Sequence, residues 1–248
     1  MKSKFHLFLV LSAMLWTVQL PAQTNSSTMQ PGPGPEAACV PATRDNPKNW
    51  MSRHEKFVAQ AKRGGIDILF MGDSITDNWR SKGSNVWNED YAPRHAANFG
   101  IGGDRTQHVL WRIENGELDN IHPKVTVLMI GTNNSRSNSA DDISQAIGMI
   151  LDVIHAKIPD TKVLLLAIFP RNRPNDTPEM MDTIHRVNEK IAGYDNGSTV
   201  KFLDINAKFL GPDGKVPADT MADFLHPTER GYKIWAAAMD PTLDAMMK

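Results

Sequence analysis

Five short apolar runs punctuate the chain from residue 66 onward, and glycine or proline stops most of them. Ile66–Met71 runs into Gly72-Asp73-Ser74, Ala96–Phe99 into Gly100, and Val125–Ile130 into Gly131-Thr132-Asn133-Asn134. Lys162–Phe169 stops at Pro170, and Val200–Ile205 is the fifth run. Apolar residues at consecutive positions predict strands buried on both faces. Between the runs the apolar spacing changes to three and four residues, which predicts helices. These cover Thr106–Glu114, Ala140–Lys157, Pro178–Ile191 and Thr228–Met247, with Pro241 expected to break or kink the last. Strands alternating with helices imply an α/β domain, a five-stranded parallel sheet with helices on both faces. No internal repeat is visible.

Open parallel sheets place their working groups on loops beyond the carboxyl ends of the strands, where Ser74, Gly102-Gly103 and Asn133 all fall. A serine hydroxyl attacks only when a base takes its proton and a third group orients that base. Of eight histidines, His226 is distinctive, because Asp223 stands three residues before it and Pro227 directly after it. Residues three apart share one side of a turn, and Pro227 keeps His226 out of helical geometry while suiting the first position of the next helix. The backbone N–H groups of Ser74 and Gly103 and the side-chain amide of Asn133 are candidate oxyanion donors, each worth about 3 kcal/mol of barrier. Singly, every motif has a plainer reading. Gly-Asp-Ser is also a helix cap, Asp223 a turn-capping carboxylate, Gly102-Gly103 a turn with positive φ, and Asn133 a cap. Ile75, Thr132 and Leu225 adjoin the candidate site and are expected, from adjacency alone, to shape an acyl pocket.

Taken in order, Gly72-Asp73-Ser74, Gly103 within Asn98-Phe99-Gly100-Ile101-Gly102-Gly103-Asp104, Gly131-Thr132-Asn133-Asn134 and Asp223-Phe224-Leu225-His226 resemble the four blocks of the SGNH (GDSL) hydrolases. Asn98–Asn134, with Val109-Leu110-Trp111-Arg112 and Asn115-Gly116-Glu117-Leu118, is most similar to the catalytic subunits of platelet-activating-factor acetylhydrolase. The resemblance spans about Ile66 to Leu243. It implies a three-layer flavodoxin-like fold and no metal or other cofactor. It also implies Ser74 as nucleophile, His226 as general base, Asp223 as its orienting partner, and Gly103 and Asn133 completing the oxyanion hole.

Two rival motifs fail. A dinucleotide fingerprint needs Gly or Ala where Arg105 stands, and the nucleophile elbow of α/β-hydrolases needs Gly where Thr76 stands. The formal net charge is −1 with no basic block, which argues against nucleic acid and anionic membrane surfaces as partners. Cys39 is the single cysteine, so no disulfide forms within the chain, and no Cys/His cluster has zinc spacing.

The amino-terminal end changes the expected setting. Met1-Lys2-Ser3-Lys4 followed by the apolar stretch Leu7–Leu20 and a small-residue site after Ala22 reads as a signal peptide over 1–22. A membrane anchor needs about 20 apolar residues, more than this run supplies. Residues 23–47, centred on Pro31-Gly32-Pro33-Gly34-Pro35, read as a Pro/Gly/Ser-rich tether, and 48–248 as the catalytic domain. The expected protein is therefore secreted or periplasmic, without stable membrane insertion, and a homodimer is compatible with it. Export separates it from the cytosolic lipid-mediator enzymes, so the expected substrate is a short acyl ester, acetyl in type, on a glycan. The alternatives are a lysophospholipase or short-chain lipase, or a non-catalytic glycan-binding protein. Trp79, Trp87 and Trp111 are expected to fill the core rather than to form a sugar platform.

Overall fold

The computed structural model describes residues 38–45 and 48–248; the signal-peptide segment 1–22 and most of the tether lie outside the described residues. The strands are β1 (Ile68–Gly72), β2 (Ala96–Gly100), β3 (Val125–Met129), β4 (Lys162–Leu166) and β5 (Val200–Leu203). They form one all-parallel sheet in the order β2-β1-β3-β4-β5, with Ile68 opposite both Ala96 and Val125. This is the flavodoxin-like order, in which the chain leaves β1 for one edge and then returns to its other side. The crevice opened by that reversal lies at the carboxyl ends of β1, β2 and β3.

The helices that follow the predicted pattern are α2 (Thr106–Arg112), α3 (Ala140–Lys157), α4 (Pro178–Ala192) and α5 (Glu229–Met246); α1 (Lys48–Arg63) precedes them. Successive strand side chains point to opposite faces, and the core divides accordingly. Leu69, Met71, Leu128, Val163 and Leu165 pack with Trp50 and Phe57 of α1, Val109 of α2, Ile147 of α3 and Val187 of α4. Ile68, Phe70, Val127, Leu164 and Leu166 pack on the other face with Trp79, Tyr91, Tyr232, Trp235 and Met239. Trp79 is fully buried, and Trp87 and Trp111 pack against these clusters, as core residues do.

Three local expectations need correcting. β4 ends at Leu166 rather than Phe169, because the side chain of Asn188 accepts from the Ile168 N–H at 2.8 Å and donates to its carbonyl at 2.9 Å, replacing a neighbouring strand. The last helix does not stop at Pro241; it continues to Met246, held by the buried Met239 and Leu243 on either side. It begins at Glu229, two residues after Pro227, with the Thr228 side chain accepting from the Gly231 N–H as its cap. Residues 38–45, the end of the expected tether, are packed onto the domain. Ala38 is fully buried, its carbonyl accepts from Thr106 Oγ1 at 2.9 Å, and the Ala42 N–H donates to the Gln107 carbonyl at 3.1 Å. Among the described residues no helix is long and apolar enough to cross a membrane.

Candidate active site

The nucleophile turn begins where β1 ends. A Cβ on Gly72 would lie 2.3 Å from the Met129 carbonyl, so only glycine lets β1 run this close to β3 before turning. Asp73 then caps the helical turn Ser74–Asp77, its carboxylate accepting from the Ile75 N–H at 2.9 Å. On the same face of the sheet, the Tyr232 hydroxyl of α5 donates to the Ile75 carbonyl at 2.6 Å. Ser74 is thereby pinned on a four-residue turn at the mouth of the crevice.

His226 lies in the loop before α5, as its proline neighbour predicts. Its Nε2 sits 2.9 Å from Ser74 Oγ and its Nδ1 sits 2.8 Å from Asp223 Oδ2. This pattern assigns the neutral tautomer with the proton on Nδ1, leaving Nε2 to accept from the serine hydroxyl. Asp223 also accepts from the His226 N–H at 2.8 Å and the Leu225 N–H at 3.3 Å. Burial works to raise its pKa, but the hydrogen bonds from the His226 N–H and ring outweigh it and hold the carboxyl below its ordinary range. The turn is tight enough to put Phe224 in the left-handed region, φ 59°. Asn172 ties it down, its N–H donating to the Phe224 carbonyl at 3.0 Å.

The residues predicted to supply oxyanion donors lie beside the nucleophile turn. The Ser74 and Gly103 N–H groups have no hydrogen-bond acceptor among the described residues. Gly103 adopts φ 81°, and a Cβ on its neighbour Gly102 would lie 3.7 Å from Ser74 Cβ. Asn133 Nδ2 donates to the Asp104 carbonyl at 2.8 Å and lies 3.5 Å from Asp73 Oδ2, which fixes the amide between that loop and the nucleophile turn. A hydroxyl beside an imidazole with a carboxylate behind it can perform acyl transfer where amide donors meet the oxyanion.

Comparison with known proteins shows the family to which the chain belongs. Residues 70–234 match the GDSL-like Lipase/Acylhydrolase family. The human platelet-activating factor acetylhydrolase IB subunit alpha2 is 39% identical over 184 residues, covering 74% of this chain and 78% of that one. Subunit alpha1 of the rat enzyme is 39% identical over 185 residues, covering 74% and 77%. The chain belongs to the GDSL family. It is accordingly a carboxylic ester hydrolase. Solved structures share its fold: a GDSL-like lipase from Bacteroides thetaiotaomicron superposes with a TM-score of 0.62 at 20% identity, covering 81% of this chain and 98% of that one. The acetylxylan esterase Axe2 from Geobacillus stearothermophilus gives 0.55 at 21% identity, covering 74% and 94%.

Around the GDSL serine lies machinery that the sequence motifs do not announce. Asp73 is 1% exposed, and burial pushes its carboxyl up to about 7. Behind the Gly102-Gly103 loop, Arg112 is fully buried between two fully buried carboxylates. It donates through Nε to Asp104 at 2.9 Å, and through Nη1 to Glu117 and to the Phe99 carbonyl. Trp50 of α1 donates to Asp104 at 2.7 Å, and His54 joins the group 3.0 Å from Glu117. Burial raises Asp104 to about 6 despite Arg112, and lowers the adjacent His108 to about 4. Arg112 beside Val109, Leu110 and Ile113 was the available signal, since a cation within an apolar stretch needs a partner. Ile75 and Leu225 are buried in the second core cluster, and Thr132 is buried with its hydroxyl accepting from Arg171 at 3.1 Å.

Open depressions flank the triad. One, of about 580 Å³, is lined by Asn78, Ser81, Lys82, Asp223, His226 and Glu229. The other, of about 480 Å³, is lined by Arg44, Asn49, Trp50, Arg53, Asp77 and Gly102. Among the described residues, no group of three or more His, Cys, Asp or Glu is placed to hold a metal ion.

Proposed function

We propose that this chain is an exported serine esterase that removes acetyl or similarly short acyl groups from acylated carbohydrates, with Ser74, His226 and Asp223 as its triad. The hydrogen-bonded chain from Ser74 Oγ through His226 to Asp223, at 2.9 and 2.8 Å, carries the reading. His226 takes the Ser74 proton as Oγ attacks the ester carbonyl. The tetrahedral oxyanion is met by the Ser74 and Gly103 N–H groups and the Asn133 amide. His226 then gives its proton to the departing alcohol, leaving an acyl-Ser74. Water enters, loses its proton to the same imidazole, and releases the acid.

The substrate class rests on other observations. The relatives at 39% identity are named acetylhydrolases, and one structural neighbour is named an acetylxylan esterase, which supports a small acyl group. The depressions beside the triad carry charged and amide side chains, among them Arg44, Asn49, Arg53, Asn78 and Lys82, able to bond the hydroxyls of a sugar. Export rests on the signal-peptide pattern of 1–22, tested by sequencing the mature amino terminus: cleavage after Ala22 supports it, and a retained Met1 contradicts it.

A lipid ester is the second reading. It is favoured by a groove lined by Pro170, Met181, Leu210 and Val216, of which Met181 and Leu210 are exposed. A series of p-nitrophenyl esters, run beside acetylated xylo-oligosaccharides, separates the two. The glycan reading expects the highest kcat/KM at acetyl and release of acetate from the sugars. Activity climbing steadily from acetyl to dodecanoyl overturns it.

A further inference from the structure

Arg44 stands in the segment that the sequence gives to a tether, yet its guanidinium reaches the catalytic loop. Arg44 Nη1 donates to the Gly102 carbonyl at 2.6 Å. A carbonyl and the next residue's N–H belong to one rigid trans peptide and point in opposite directions. Whatever holds the Gly102 carbonyl therefore sets the direction of the Gly103 N–H, the donor that has no acceptor among the described residues.

The peptide before it is held from the other end. The Gly102 N–H donates to Asp77 Oδ2 at 3.0 Å, and Asp77 is itself clamped by Arg53 through two bonds of 2.7 Å and by Arg80. Gly102 is thus pinned at both its amide and its carbonyl, one side to the nucleophile's own turn and the other to the amino-terminal strap. Arg44 fits so closely that a Cβ on Gly103 would meet its Nη2 at 2.8 Å. The strap is itself anchored, with Ala38 buried and Ala42 bonded to Gln107 of α2.

We propose that Arg44 is a positioning residue: by holding the Gly102 carbonyl it fixes the plane of the 102–103 peptide and aims the Gly103 N–H at the oxyanion formed when Ser74 attacks. The proposal rests on Ser74 as nucleophile and on Gly103 as an oxyanion donor. It makes the strap over 38–45 part of the working enzyme. Without the guanidinium, the 102–103 peptide is free to rotate about its flanking bonds, and a donor misdirected by about 1 Å loses much of its effect on the transition state.

The test uses the full chain with p-nitrophenyl acetate as substrate and an alkyl trifluoromethyl ketone as the probe, whose hemiketal with Ser74 carries the oxyanion. Arg44→Ala is expected to lower kcat between about tenfold and a hundredfold, with KM changed by less than about twofold. Its Ki for the ketone is expected to rise by the same factor as kcat/KM falls, because both report oxyanion binding. Added guanidinium is expected to restore part of kcat. Arg44→Lys, which keeps a cationic donor but not the planar fork, is expected to fall between wild type and Arg44→Ala, and it carries the same comparison should the Ala variant fail to fold. Ser74→Ala, run alongside, is expected to be inactive. A folded Arg44→Ala with wild-type kcat and ketone affinity overturns the proposal, as does a loss confined to KM or, should Ala fail to fold, an Arg44→Lys with lower kcat and unchanged ketone affinity. Residual wild-type turnover in Ser74→Ala instead overturns the nucleophile assignment on which it rests.

Discussion

Ser74 and Asp223 stand on opposite sides of His226 and in opposite surroundings. On the serine side, Asp73, Asp104, Arg112 and Glu117 are all essentially buried, and the loop carrying Gly102 and Gly103 is tied to three elements by charged side chains. On the carboxylate side, the Asp223 side chain is 42% exposed, and its nearest cation, Arg173, lies 3.9 Å away with a side chain 45% exposed. The difference follows from what each group must do. Donors that meet a developing oxyanion gain by being held in place before the charge appears. A carboxylate that orients one imidazole needs only a local turn, and the bonds within Asp223–His226 supply it. Aim on the serine side comes from buried charges of distant segments, and on the carboxylate side mainly from bonds within four consecutive residues, with one backbone tie from Asn172.

Substitutions on the two sides should therefore fail differently. The largest effect is expected at the hinge between them. His226→Ala should lower kcat/KM by about four orders of magnitude while leaving the thermal midpoint nearly unchanged, since the side chain it removes is part-exposed and packs no core. A large drop in midpoint would place His226 in the structural half and break the contrast. Next comes Arg112→Met, which leaves the Asp104 and Glu117 carboxylates buried without their cation and should cost about 3–5 kcal/mol in urea unfolding. If Arg112→Met instead unfolds like wild type and loses only activity, the buried network is not what holds the serine side.

The third effect concerns pH. Burial lifts Asp73 from 3.8 to about 7, so the folded state keeps a proton that the unfolded chain releases. That contribution to stability is complete below about pH 4 and is lost as pH rises through about 7. Asp73→Asn keeps a capping side chain but cannot ionise, so its urea midpoint should change less than wild type's between pH 4 and pH 8. Equal pH dependence in both proteins would show that Asp73 is ionised throughout.

Much of this was legible before the structure. Strands buried on both faces announce themselves as continuous apolar runs, and Ser74, Gly103 and Asn133 fall at their ends because topology puts them there. The Asp223–His226 turn was legible because the bonds from the carboxylate to the imidazole and its backbone lie within four residues. What escaped reading is tertiary. The seam of α1 includes His54, a polar residue whose partner Glu117 lies 63 residues away, so its apolar spacing is interrupted. The strap over 38–45 has the composition of a linker, and the Arg44 bond that docks it is made to a backbone carbonyl, which leaves no trace in residue type. The end of β4 is set by Asn188, twenty residues downstream.

The most direct measurement is mass spectrometry of the protein after reaction with a fluorophosphonate ester. A single adduct on the peptide bearing Ser74, formed at full occupancy in wild type and not in His226→Ala, is the predicted result. An adduct on any other residue, or full esterase activity after Ser74 is modified, would contradict the account.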